Sequence, residues 1–77
     1  MAKAEISNRI RRLRFDHDEM TQQELANRVG CTRQTIVLLE QGRYVPSLAL
    51  AFGIARVFGL AVDDVFEFVA DAATDPM

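Results

Sequence analysis

Residues 32–41 read TRQTIVLLEQ, and two of them, Arg33 and Gln34, carry side chains suited to reading a nucleic-acid base. A guanidinium can donate two parallel hydrogen bonds to guanine O6 and N7, and a carboxamide can pair in the same way with adenine N6 and N7. That chemistry requires both groups to lie on one outward face of a rigid element. On a helix turning about 100° per residue, Ile36 and Leu39 fall together on one side. Arg33, Gln34, Val37, Leu38 and Gln41 share the other. A helix with this distribution could lie in a major groove, with its first outward residues at the base edges. Val37 and Leu38 would then meet the one apolar feature displayed there, the thymine methyl. Arg33 and Gln34 alone would read as ordinary exposed helix residues; the surrounding elements make the difference.

Those elements follow from caps and breakers. Thr21-Gln22-Gln23-Glu24 is a capping-box sequence that opens a helix carrying Leu25, Ala26 and Val29 inward. Gly30 is placed to end it in a left-handed conformation, and Thr32 is a good N-cap for the helix at 33–41. Two short helices joined by such a turn form a helix-turn-helix, here about residues 21–41. Before it, Ile6, Ile10 and Leu13 recur at i, i+4 and i+7, which predicts a first helix over 4–14, with FDHDEM as a connection. After it, Gly42 stops the third helix and Pro46 enforces a turn. Ser47 caps a fourth helix at 48–58. Its apolar set, Leu48, Ala51, Phe52, Ile54, Ala55 and Phe58, predicts the most buried element of the chain. A short fifth helix at 62–66 starts weakly, with Ala61 at the cap position and Asp63 and Asp64 in its first turn. Phe66, Phe68 and Ala70 then alternate with Glu67 and Val69, as a short extended segment would. The closing DAATDPM is polar and expected to fray.

The expected fold is therefore all-α, five helices in one domain over residues 1–77 with its core at about 6–69, extended at most by that C-terminal segment. At 77 residues such a domain is marginal alone and calls for added stabilisation. One cysteine, Cys31, and one histidine, His17, make neither a disulfide framework nor a structural zinc site. No metal or cofactor is expected, and a partner subunit is the remaining route. Cys31 reads as packing and His17 as a solvated loop residue. No nucleophile–base set, metal cluster or phosphate loop points to an enzyme. The chain lacks both a membrane-length apolar run and a signal-like leader, so a cytoplasmic protein is expected.

The net charge of −2 divides unevenly. Residues 1–60 hold all nine Lys and Arg against six acids, whereas 61–77 hold five acids and no base. The acidic end can be a solubilising tail, a segment kept away from phosphates, or a surface that holds another protein, as in an antitoxin-like interaction module.

TQQELA, VGCTRQTI, LEQGRYVPSL and AFGIARVFGLAVDDVF together resemble the lambda-repressor-like Cro/cI (Xre) family, over roughly residues 8–67. The small single-domain members that this chain resembles are five-helix homodimeric transcriptional regulators on inverted-repeat operators in double-stranded DNA, and the chain is expected to be such a regulator, acting as a repressor. The resemblance implies base contacts from Thr32, Arg33, Gln34 and Leu38, with Val37 beside them. It implies phosphate or backbone contacts from Gln22, Thr35, Arg43 and Tyr44, and a structural ion pair between Arg14 and Glu40. The bulky apolar residues Val62, Val65, Phe66, Phe68 and Val69 exceed what one short helix needs internally, and are the expected dimer contact. Three departures stand out: an acidic connection one residue long beyond the family's usual, Cys31 at a small apolar position, and Ala61 in place of a polar cap.

Overall fold

The computed structural model describes residues 4–70. Five helices follow in chain order: α1 (Ile10–Asp16), α2 (Gln22–Val29), α3 (Arg33–Glu40), α4 (Leu48–Val57) and α5 (Val62–Val65). They are framed by two strands, β1 (Ala4–Asn8) and β2 (Phe66–Ala70), which pair antiparallel with Ile6 opposite Phe68 and Asn8 opposite Phe66. The fold is therefore not purely all-α. The extended segment expected after α5 is β2, and it finds its partner in residues read from the sequence as the first turns of a helix.

The helical spacing of Ile6 with Ile10 and Leu13 misleads because a short apolar pattern fits either period. Asn8 decides the boundary. Its Oδ1 accepts the Ile10 amide at 3.1 Å and its Nδ2 donates to the Leu39 carbonyl at 2.8 Å. The Arg9 amide donates to the Val65 carbonyl at 2.9 Å. Those bonds pull 8–9 out of helical geometry and fasten the start of α1 to α3 and α5, as short polar side chains do at helix entrances. Helix α1 in turn runs on through Phe15 and Asp16, so FDHDEM shrinks to a tight turn at 17–19. Asp18 and Glu19 both take positive φ there, 57° and 52°. His17 is exposed but engaged: Nδ1 lies 2.9 Å from the Leu13 carbonyl, and its ring meets Phe58 edge-on at 5.0 Å.

One core joins all the helices. Ile10, Leu25, Ala26, Ile36, Leu39, Ile54, Ala55 and Val65 are essentially inaccessible, with Met20, Ala51, Phe58 and Phe66 around them. Ile6, Leu13, Val29, Cys31 and Val62 pack against this set from its margin. Two expectations change here. In α4 only the Ala51, Ile54, Ala55, Phe58 stripe is buried, and Leu48 and Phe52 stand out at 72% and 53% exposure. At i and i+4 they form a second apolar face that the single chain leaves uncovered. Of the five residues expected at a dimer contact, Val65 and Phe66 are consumed by the chain's own core. Val62 is half-buried, while Phe68, 66% exposed, and Val69 remain accessible.

Helix α5 manages without a polar N-cap. The Asp64 carboxylate accepts the Ala61 amide at 3.2 Å, so the third residue supplies half of a capping box. No helix among the described residues is long and apolar enough to cross a membrane. The expected fraying of 71–77 lies outside the described residues, as do Asp71 and Asp75 of the acidic end, whereas its Asp63, Asp64 and Glu67 are exposed on α5 and β2.

Candidate nucleic-acid interface

The presentation of α3 begins with α2. Thr21 Oγ1 accepts the Glu24 amide and Glu24 Oε1 accepts the Thr21 amide, both at 3.0 Å, a complete capping box. The Thr21 amide, and after it the Thr21 hydroxyl, hold the Glu24 carboxyl below its usual range. The box fixes where α2 starts, leaving the first amides of Gln22 and Gln23 at the helix end where a partial positive charge gathers. Gly30 closes α2 at φ 77°, a conformation that strains any residue with a Cβ, and its amide returns to the Ala26 carbonyl at 2.9 Å. Cys31 is half-buried against the core, and burial raises its thiol pKa, as suits a packing residue.

Thr32 caps α3. Its Oγ1 accepts the Thr35 amide at 3.3 Å and lies 3.1 Å from the Thr35 hydroxyl. Both threonines implied as DNA contacts are thus already bonded to one another, and their hydroxyls first serve the helix start. With Ile36 and Leu39 buried, the remaining residues of α3 form two adjacent outward stripes. Arg33, Val37 and Gln41 make one, at i, i+4 and i+8; Gln34 and Leu38 make the other. Arg33, Gln34 and Gln41 are exposed, and Val37 and Leu38 are half-buried at the stripes' inner edges. Gly42 at φ 72° then turns the chain, with the Arg43 amide donating to the Leu38 carbonyl at 2.9 Å. Arg43 and Tyr44 emerge exposed just past the helix.

Arg33 and Val37 do not stand alone. They line a cleft of about 600 Å³ between α1, α2 and α3, together with Gln22, Gln23, Arg11 and Glu19. On its wall, Arg14 grips Glu40 in two parallel bonds, Nε to Oε2 at 2.6 Å and Nη2 to Oε1 at 3.0 Å. Arg14 Nη1 also donates to the Met20 carbonyl at 2.8 Å. The pair ties α1 to α3 almost out of solvent, which is where an ion pair's geometry matters most. Gln22 joins it, donating from Nε2 to Glu40 Oε1 at 3.1 Å. The side chain implied as a phosphate contact is therefore oriented by the structural pair. Among the described residues neither Arg11 nor Arg33 is in an ion pair. Arg11 and Gln23 are not singled out in the sequence: Arg11 is one of four arginines in 9–14, and only the packing of α1 shows that it lines the cleft without being taken up, as Arg14 is, by Glu40. Gln34, Leu38, Arg43 and Tyr44 lie on the same helix or its exit but outside the cleft lining.

Comparison with known proteins agrees with this geometry. The profile of the helix-turn-helix family matches residues 10–65. An uncharacterized HTH-type transcriptional regulator of Archaeoglobus fulgidus is 55% identical over 63 residues, covering 82% of this chain and 89% of that protein. The uncharacterized HTH-type transcriptional regulator YgzD of Bacillus subtilis is 41% identical over 61 residues, 79% of this chain and 91% of that protein. The cryptic phage CTXphi transcriptional repressor RstR of Vibrio cholerae is 32% identical over 70 residues, 91% of this chain but 60% of RstR. With its profile covering most of the chain and its two capped helices meeting at Gly30, this chain belongs to the helix-turn-helix family.

Proposed function

We propose that this chain is a sequence-specific double-stranded DNA-binding transcriptional regulator, acting as a repressor by occupying an inverted-repeat operator as a homodimer. The observation that carries the reading is the double outward stripe of α3, with Arg33 and Gln34 at its start and the cationic cleft beside it. In the major groove, Arg33 and Gln34 read purine edges, while Val37 and Leu38 contact thymine methyls. The α2 amides with Gln22, and Arg43 and Tyr44 past α3, hold phosphates on either side and fix the register. The names of the relatives, HTH-type transcriptional regulators and a phage transcriptional repressor, support this assignment.

Two copies are needed to read an inverted repeat. Phe68 and Val69 on β2, with the margin of Val62, are the residues of the expected contact that stay accessible, and the bare Leu48–Phe52 face of α4 adds apolar area. Burying such a surface in a dimer also answers the marginal size of the domain.

Two variants test the reading by separating base contact from phosphate contact. Arg33→Ala is expected to lose discrimination at one base position, worth roughly 1–3 kcal/mol. Arg43→Ala is expected to weaken all duplexes alike and to lower the salt slope by about one. Equal behaviour of the two variants on every duplex would remove α3 from base reading.

A further inference from the structure

The cleft that would receive a DNA phosphate contains a carboxylate. Glu19 lines it together with Arg11, Arg33 and Gln22. Glu40 also lines it, but that charge is answered by Arg14. Glu19 has no such partner: among the described residues it is in no ion pair. Its backbone is at φ 52°, following Asp18 at 57°, a left-handed pair that glycine would adopt without strain. A glutamate occupies the place instead, exposed and among the residues that line the cleft. Asp18, its neighbour with the same charge and the same backbone conformation, does not line the cleft.

We propose that Glu19 is a built-in electrostatic brake on phosphate entry to the α1–α2–α3 cleft, setting the strength of sequence-independent DNA binding, with Arg11 as the attractive group it opposes. The inference rests on the DNA-binding reading above. A phosphate drawn in by Arg11, Arg33 and the α2 amides meets one uncompensated negative charge at the cleft wall. Repulsion at that range weakens any duplex, operator or not, and fades as salt shortens the Debye length. Sequence-independent binding competes with the operator across all other DNA, so holding it down keeps the protein free to search.

The test measures affinity for a random-sequence duplex at several salt concentrations, using wild type, Glu19→Gln, Glu19→Gly, Asp18→Asn and Arg11→Ala. Coulomb energies across a few ångströms of wetted surface predict that Glu19→Gln binds about two- to five-fold tighter at low salt, converging with wild type as salt rises. Glu19→Gly should tighten binding equally while relieving the turn, which separates charge from backbone strain. Asp18→Asn, with the same change in net charge, should give less than half that gain, and Arg11→Ala should weaken binding. An unchanged Glu19→Gln, or an Asp18→Asn gain equal to it, overturns the brake while leaving DNA binding intact. A wild-type protein that binds no duplex overturns the DNA-binding reading, and the brake with it.

Discussion

Arg14 and Glu40, twenty-six residues apart, meet in two hydrogen bonds of 2.6 and 3.0 Å with 15% and 8% of their side chains exposed. The pair locks α1 to α3, and through Gln22 it also touches the start of α2. Its removal from one side leaves a charge stranded in a nearly dry place. Arg14→Met should therefore destabilise the domain by about 2–4 kcal/mol, seen as a lower urea midpoint. A loss below about 0.5 kcal/mol, the scale of a surface pair, would contradict this account of the pair.

The capping box makes α2 sensitive to acid. Glu24 has its folded pKa lowered by the Thr21 amide and hydroxyl. A lowered folded pKa contributes stability that is fully present above the unfolded value and is lost as pH falls through the folded value. Stability should thus decline as pH drops into and below the ordinary glutamate range, and Glu24→Gln should flatten part of that decline. Thr21→Ala should cost about 1 kcal/mol at neutral pH by removing the cap. A Glu24→Gln protein with an unchanged acid profile would show that the box carries none of this dependence.

Phe68 separates the two possible uses of β2. It sits opposite Ile6 in the two-stranded sheet but is 66% exposed, whereas Phe66, two residues earlier, is inside. Phe68→Glu is expected to shift the protein from dimer to monomer in sedimentation velocity and to weaken operator binding at least ten-fold, while the thermal transition of the folded unit persists. Phe66→Glu should instead unfold the domain, since it places a charge in the core. A Phe68→Glu protein of unchanged mass in solution would move the contact elsewhere, with the Leu48–Phe52 face the next surface to vary.

Much of this was legible in residue order. Thr21, Glu24, Thr32, Ser47 and the glycines at 30 and 42 mark helix ends because caps and left-handed residues act locally, within three or four positions. Ile36 and Leu39 inside, with Arg33 and Gln34 outside, follow from one helical period. What escaped depends on distant partners. Ile6 became a strand residue because β2 offered its edge and Asn8 reached Leu39 across the fold. Phe52 and Leu48 were expected inside because hydrophobicity does not say which of two stripes has something to pack against. Arg11 and Glu19 joined the candidate site only when α1 packed beside α2 and the 17–19 turn tightened.

The central claim is that α3, presented twice by a dimer, reads duplex DNA by sequence. The most direct measurement is selection of bound duplexes from a random pool at moderate salt, followed by sequencing. The account predicts an enriched inverted repeat whose half-site centres lie about 34 Å apart, one turn of DNA, with purines and thymines at the positions facing α3. A pool that stays random after repeated rounds would contradict it.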